Sequence, residues 1–220
     1  MKFTPPCLTA FSTLLLAASP ALAEERTYDL ADFDRIEISA GVKLVADIGD
    51  AQAISVETEN GDFRDFKIKV SNGELSLSRE WNRLSWRGKK ADYKVTLTVP
   101  ELTAIEASSG SHAIISNVDT RRFEMDLSSG AYVVVDGECQ TCTLDLSSGA
   151  NLDGRDLECA HARIDVSSGG HGKLYVSESV VGDASSGGHV AVYGNPQRLN
   201  IEKSSGGRIK VIATAQATRD

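Results

Sequence analysis

The hexapeptide DLSSGA occupies residues 126–131 and returns at residues 145–150. Its central Ser-Ser-Gly occurs six times in the chain, at spacings of 20, 19, 20, 18 and 19 residues. The six copies begin at Ser108, Ser128, Ser147, Ser167, Ser185 and Ser204. A turn signal that recurs with a period near twenty indicates a stacked repeat, in which each unit forms one coil of a solenoid.

The residues on both sides of each Ser-Ser-Gly alternate between apolar and polar. Before the second copy the apolar positions are Phe123, Met125 and Leu127, and after it they are Val133 and Val135. An alternation with period two predicts strands that bury one face. Glycine adopts positive φ without steric cost, and serine side chains bond to nearby backbone, so the tripeptide suits a tight corner. Each rung should therefore contain a strand, a corner, a second strand and a looser return such as Asp136-Gly137 or residues 194–196.

The predicted fold is all-β, a right-handed parallel β-helix-like solenoid with rungs of about 19 residues, preceded by an N-terminal antiparallel β region. Residues 36–44 resemble a degenerate opening rung, in which Ser-Ala-Gly replaces Ser-Ser-Gly. Lys203 stands where earlier rungs are apolar, which predicts that the last rung, residues 197–213, is an exposed end. We expect three units after a leader: the β region with its opening rung (24–99), the Ser-Ser-Gly solenoid (100–213) and a C-terminal tail (214–220).

The first 23 residues have the pattern of a secretory signal peptide. Lys2 precedes an apolar stretch, residues 8–18, that is too short to span a bilayer, and Ala-Leu-Ala at residues 21–23 resembles a cleavage site. The sequence therefore predicts an exported protein without a transmembrane segment, either periplasmic or on the cell surface. Without Lys2, 22 basic residues stand against 31 acidic ones, a net charge of −9, which disfavours nucleic acid as a partner.

Several segments together resemble a known family of exported bacterial proteins. They are FDRIEISAGVKLVAD (33–47), NGELSLS (72–78), VTLTVPELTAIEASSGSHA (95–113) and the serial LSSGA and SSGGH repeats. With the signal peptide, they resemble the putative auto-transporter adhesin head GIN domain family over residues 29–213. The resemblance implies a β-helix-like solenoid in the envelope or outside the cell. It implies no catalytic site, and no residue takes a role from it.

An acidic residue stands two positions before every Ser-Ser-Gly. These acids are Glu106, Asp126, Asp145, Asp165, Asp183 and Glu202. Stacked like charges repel, so the column needs a cation, a basic neighbour such as Arg163, or full solvation. We favour the solvated face, because one carboxylate per rung is an incomplete calcium site. Neighbouring acids would also suit glycosidase spacing, but any acidic ladder on a solenoid satisfies that test.

Three histidines occupy one position of the repeat, two residues after the glycine. They are His112, His171 and His189, and the last two should be neighbours in adjacent rungs. Two imidazoles could begin a transition-metal site, but such a site needs a third ligand. We therefore favour an exposed polar row.

The segment of residues 79–90, REWNRLSWRGKK, differs in composition from the rest of the chain. It holds both tryptophans and, with Arg79, five basic residues of an otherwise acidic protein. The candidate ligand-binding residues are Trp81, Arg83, Trp86, Arg87, Lys89 and Lys90. Exposed tryptophan beside basic side chains suits stacking on sugars or binding an anionic polymer. The alternative, which we favour slightly, is that the tryptophans fold over an open end of the solenoid as a cap.

Three cysteines follow the predicted leader. Cys139 and Cys159 both lie eight residues before a Ser-Ser-Gly, so they should share one column in adjacent rungs, within reach of a disulfide. Cys142 occupies an inward position and should be a buried free thiol. The competing pairing, Cys139 with Cys142, has the Cys-x-x-Cys spacing of redox sites but lacks their helical context.

The sequence thus predicts a non-enzymatic exported β-solenoid that acts as an adhesin-like interaction module. Its expected partner is a glycan or envelope polymer, or another protein, and no cofactor is expected. The alternative is a carbohydrate-active β-helix enzyme that acts on a polysaccharide. Converging acids and aromatics in a deep groove would favour the enzyme, whereas flat ladder-like faces would favour the module.

Overall fold

The computed structural model describes residues 24–58, 63–80 and 92–213, and the regular structure in these ranges is entirely β. The N-terminal strands are β1 (Glu24–Thr27), β2 (Arg35–Ile38), β3 (Lys43–Ile48), β4 (Ala53–Thr58), β5 (Phe66–Ser71), β6 (Glu74–Arg79), β7 (Tyr93–Val99) and β8 (Ala104–Ala107). The later strands are β9 (His112–Leu127), β10 (Tyr132–Leu146), β11 (Asn151–Val166), β12 (His171–Ala184), β13 (His189–Tyr193), β14 (Arg198–Lys203) and β15 (Arg208–Ile212). The all-β prediction is confirmed.

The rungs stack as parallel strands in the register that the sequence repeat predicts. Leu146 of β10 pairs with Leu127 of β9 and with Val166 of β11, so equivalent residues lie side by side. Neighbouring strands of a sheet are about 4.8 Å apart, which sets the rise of the coil per rung. The predicted solenoid with rungs of about 20 residues is therefore confirmed, while its right-handed direction stays a prediction.

The predicted loose return is present at residues 194–196, between β13 and β14, but not at Asp136-Gly137. Asp136 and Gly137 lie inside β10, so one bent strand replaces the expected two strands and loose return. The pairing with β9 shifts register between Val135 and Gly137, which marks the bend. Gly137 has φ 126°, and a Cβ there would lie 2.2 Å from the carbonyl oxygen of Val118. The bend therefore requires glycine, because any side chain would collide with the backbone of the preceding rung.

The Ser-Ser-Gly corners are type I′ turns. In the second copy, Ser129 and Gly130 both have positive φ, at 49° and 73°, and Ala131 N–H donates to Ser128 O at 3.0 Å. The sequence predicted left-handed backbone only at the glycine. Each turn also bonds to the next, as when Gly130 N–H donates to Ser148 O at 3.2 Å. The stacked turns thus extend the hydrogen-bonded ladder around the corner.

The N-terminal strands continue the sheets of the solenoid and cover its first rung. Strand β2 pairs in parallel with β8, and Ala40-Gly41 makes the same left-handed turn as the later Ser-Gly pairs. On one sheet β7 pairs in parallel with β3 and is followed outward by antiparallel β4 and β1. On the other sheet β6 pairs in parallel with β2 and forms an antiparallel hairpin with β5 through Asn72-Gly73. The region is therefore mixed rather than purely antiparallel.

The C-terminal end of the coil is open within the described residues. The outermost strands, β14 and β15, pair only on the side of the preceding rung. Lys203 occupies the column of Ala184 and is exposed, and Leu199 keeps 52% of its surface accessible. This is the exposed last rung that Lys203 predicts.

Candidate binding surfaces

Equivalent outward residues of successive rungs form columns on the surface, because the register places them side by side. The outward residues of the segments that lead into each Ser-Ser-Gly turn, such as 122–127 and 141–146, form what we call the acidic face. Those of the segments that follow each turn, such as 112–116, 171–175 and 208–212, form the basic face. The core lies between the two faces and consists of inward apolar residues such as Leu144 beneath the first and Leu174 beneath the second.

The acidic face carries an unbroken ladder of carboxylates. Its members pair in register from rung to rung: Glu37, Glu106, Asp126, Asp145, Asp165, Asp183 and Glu202. The opening rung thus adds Glu37 to the six acids that the Ser-Ser-Gly alignment identifies. Like charges directly opposite on neighbouring strands are destabilising.

Partial burial and the stacked carboxylates raise the pKa of two members of the ladder, Asp145 and Glu106. The pKa of Asp145 is raised by partial burial and then by the charges of Asp126 and Asp165. Burial likewise raises the pKa of Glu106, with Glu37 and Asp126 adding to the effect. Both carboxyls are therefore easier to protonate than a free side chain.

Counter-charge near the ladder lies at its N-terminal end. Arg35 pairs with Glu74 at 3.9 Å and Glu124 at 3.6 Å, which flank the ladder, and its charge partly offsets the rise in the pKa of Glu106. Ser76 Oγ donates to Glu37 at 2.8 Å. Arg163, which the sequence suggested as a local counter-charge, lies on this face but makes no ion pair within 4.0 Å among the described residues. The middle of the ladder is left to solvent.

Between the two faces a shallow open groove of about 740 Å³ surrounds the disulfide. Cys139 and Cys159 form this bond across adjacent rungs, with their Cα atoms 4.6 Å apart. A second acidic column, Asp119, Glu138 and Glu158, lines the groove beside it and ends at Tyr175. Sequence reasoning missed this column, although each of its three acids lies nine residues before a Ser-Ser-Gly, one position before the column of Cys139 and Cys159.

Cys142 is the free cysteine of the described chain and is fully buried. Burial raises the pKa of its thiol to about 12, so the thiolate, the reactive form, is absent at neutral pH.

The basic face carries the histidine row. The column runs Lys94, Lys43, His112, Tyr132, Asn151, His171, His189 and Arg208. The rings of His171 and His189 are stacked, with centroids 5.5 Å apart and planes 6° apart. Within the described ranges, three or more His, Cys, Asp or Glu residues nowhere converge into a group that could hold a metal ion.

The tryptophan and basic residues of the 79–90 segment fall largely outside the described residues. Arg79 ends β6, where it pairs with Phe66. Trp81, Arg83, Trp86, Arg87, Lys89 and Lys90 lie beyond the described part, so their role in binding stays a prediction.

Comparison with known protein families identifies the family of this chain. A family model described as "Putative auto-transporter adhesin, head GIN domain" matches residues 32–196, well over half of the chain. The chain belongs to this family. The match contains the opening rung, the hairpin and five of the six Ser-Ser-Gly turns, as the sequence resemblance predicted. None of the curated proteins matches the sequence.

Solved structures share the fold of this GIN domain at low sequence identity. A putative adhesin from Bacteroides fragilis is 17% identical, with a TM-score of 0.66 over 88% of this chain and 98% of that one. A putative adhesin from Parabacteroides merdae is 10% identical, with a TM-score of 0.56 over 86% and 96%. At these identities the likeness shows the fold alone. None of the described residues form a helix that could span a membrane.

Proposed function

We propose that this GIN domain is an exported, non-enzymatic, adhesin-like module that binds a glycan or another polymer of the cell envelope. The observation that carries the proposal is the sorting of charged and aromatic side chains into columns that run along the coil. A polymer repeats its chemical groups at a fixed distance, and so does each column. Many weak contacts of this kind add up when they are made along one chain.

The family and the disulfide support a place outside the cytoplasm. The chain belongs to a family named for adhesins, and Cys139–Cys159 is the kind of bond that forms and persists in oxidising compartments. We propose that the predicted signal peptide directs export and that the protein then lies in the periplasm or on the cell surface.

A glycan array probed with the purified protein tests the proposed function. We expect binding to one or more glycans, in the anionic group if the 79–90 segment contributes. Replacing Trp86→Ala should then weaken binding, and added salt should weaken it further. Leu199→Ala, which removes an exposed apolar side chain at the open end of the coil, is the control. An array without a single bound glycan or envelope polymer would rule out the proposed function.

One observation favours an enzyme as a second candidate. Glu138 and Glu158 pair in adjacent rungs and share the groove with Tyr175, so two acids and an aromatic side chain meet there, as they do not along the acidic ladder. Incubating the protein with the polysaccharides that it binds and measuring chain length tests this candidate. Shortened products that disappear in Glu158→Gln would support the enzyme, and unchanged chain length would exclude it for those substrates.

A further inference from the structure

The last three rungs of the basic face form a compact surface without a single carboxylate. We call it the C-terminal patch and define it by the outward residues of 171–175 in β12, of β13 and of β15. Its nine positions are His171, Lys173, Tyr175, His189, Ala191, Tyr193, Arg208, Lys210 and Ile212. The whole chain has a net charge of −8, so this local excess of cations runs against the composition of the protein.

We propose that the C-terminal patch binds a linear acidic polysaccharide, one that carries a carboxylate on its sugar rings. The inference rests on the proposed function and names its ligand class and its site. It assigns the binding to the solenoid itself, separately from the 79–90 segment.

The cations of the patch are available to a ligand. Arg208 and Lys210 are exposed, and no carboxylate of the described chain lies within 4.0 Å of either. Lys173 lies 3.4 Å from Asp153 of the preceding rung, but that carboxylate also receives two hydrogen bonds from Arg155, at 2.9 and 3.0 Å. One acid is thus shared by two cations, and the surface keeps a positive surplus.

The spacing of the patch suits an extended sugar chain that lies along the coil axis. Neighbouring rungs are about 4.8 Å apart, and an extended 1,4-linked pyranose chain advances by a similar length per ring. A carboxylate on each ring would therefore meet one rung after another. Within a rung, outward residues two positions apart are separated by about 6.6 Å, enough for one ring between the outer columns.

The side chains of the patch place aromatic and polar groups around a small residue at its centre. Ala191 lies at its centre, between His189 and Tyr193 of the same strand and between Lys173 and Lys210 of the neighbouring rungs, so its short side chain leaves a gap flanked by two cations. Tyr175 and Tyr193 pair in register and offer a column of rings on which sugars stack. His189 Nδ1 donates to the Gly187 carbonyl at 2.6 Å, which leaves Nε2 of the neutral ring to accept from a sugar hydroxyl.

Charge reversal in two matched places tests the site. The first variant is Arg208→Glu with Lys210→Glu, in the patch. The control is Arg163→Glu with Arg198→Glu, on the acidic face, where both side chains are also exposed. The two variants have equal net charge, so only the place of the change differs between them.

Binding is measured by titration calorimetry with an oligogalacturonate as the acidic probe and a cello-oligosaccharide as the neutral one. The patch variant should bind the acidic probe about tenfold more weakly or worse, since two attractions become two repulsions, and the control should stay within about twofold of the unmodified protein. Ala191→Trp fills the gap between Lys173 and Lys210 without a change in charge and should also abolish binding. Circular dichroism of each variant verifies that the fold is kept.

Four results would overturn the inference. Equal loss in both charge-reversed variants would show an effect of net charge alone. Loss in Trp86→Ala with no loss in the patch variant would place the site in the 79–90 segment and leave the proposed function intact. Tighter binding of a polyphosphate than of the oligogalacturonate would give the patch a different ligand. Binding of no glycan at all would remove the proposed function together with this site.

Discussion

The acidic face and the basic face share one backbone and differ only in what each rung places outward. The acidic face repeats one kind of side chain at one position, so Asp126, Asp145 and Asp165 stack as a ladder of like charges. The basic face varies its residues, and its cations stand among aromatic, neutral and single acidic side chains such as Asp153. A parallel register therefore turns a sequence repeat directly into a surface charge pattern, whether the stacked charges attract or repel one another. The predictions below test how far the two faces differ.

The largest expected effect comes from the core, where the two faces should behave alike. Ile164 lies beneath the acidic face and Leu174 beneath the basic face, and both are essentially buried. Ile164→Ala and Leu174→Ala should each lower the free energy of unfolding by about 2–5 kcal/mol, because each leaves a cavity. Denaturant unfolding measures both.

Thr143→Ala, an exposed change on β10, is the control and should stay within about 0.5 kcal/mol. A core cost on one face only would mean that one of the two inward registers is wrong.

Loss of the disulfide should have the next largest effect on the free energy of unfolding, and this bond lies in the groove between the two faces. It closes a loop of 20 residues between adjacent rungs, so replacing both Cys139 and Cys159 with serine should cost about 3 kcal/mol. Cys142→Ser is a separate variant, because it places a hydroxyl in the core and leaves the Cys139–Cys159 disulfide intact. Thermal unfolding with and without reductant measures the stability that the disulfide contributes. A double variant as stable as the oxidised protein would contradict the cross-rung bond.

The smallest effects, below about 1 kcal/mol each, should have opposite signs on the two faces. Asp145 has a raised pKa, so its charge destabilises the fold at neutral pH, and Asp145→Asn should raise stability there. Asp153 of the basic face has a lowered pKa, chiefly because Arg155 bonds to it, so Asp153→Asn should lower stability at neutral pH.

Both differences should shrink on acidification. The destabilisation by Asp145 is relieved as the pH falls through its raised folded-state pKa. The stabilisation by Asp153 is present above its unfolded-state pKa and is lost as the pH falls through the lowered folded-state value. Urea unfolding across acidic and neutral pH measures both, and effects of the same sign would contradict the contrast between the faces.

Much of the architecture follows from the sequence because the turn chemistry is local. Ser-Ser-Gly sets the corner, period two sets the inward residues, and counting back from the turn predicts the acidic ladder and the shared column of Cys139 and Cys159. Lys203 marks the open end for an equally simple reason, since a charge is costly in a continuing core.

Other features depend on contacts that the sequence does not record. The continuous strand through Gly137 is set by the close approach of Val118 in another rung. The positive φ of Ser129 is uncommon for a residue with a side chain, so the residue type does not predict it. The C-terminal patch appears only when three strands are placed side by side, because Lys173 and Tyr193 are unremarkable in a linear sequence. The repeat predicts the histidine row, but it does not predict which residues lie beside that row on the surface.

An NMR titration of the side-chain carboxyls tests the central claim, the opposite electrostatics of the two faces, most directly. We expect Glu106 and Asp145 to have raised pKa values and Asp153 a lowered one. Asp126→Asn should lower the pKa of both Glu106 and Asp145, its neighbours in the ladder, and leave that of Asp153 unchanged. A common pKa for Asp145 and Asp153, or no response of either neighbour to Asp126→Asn, would contradict the account.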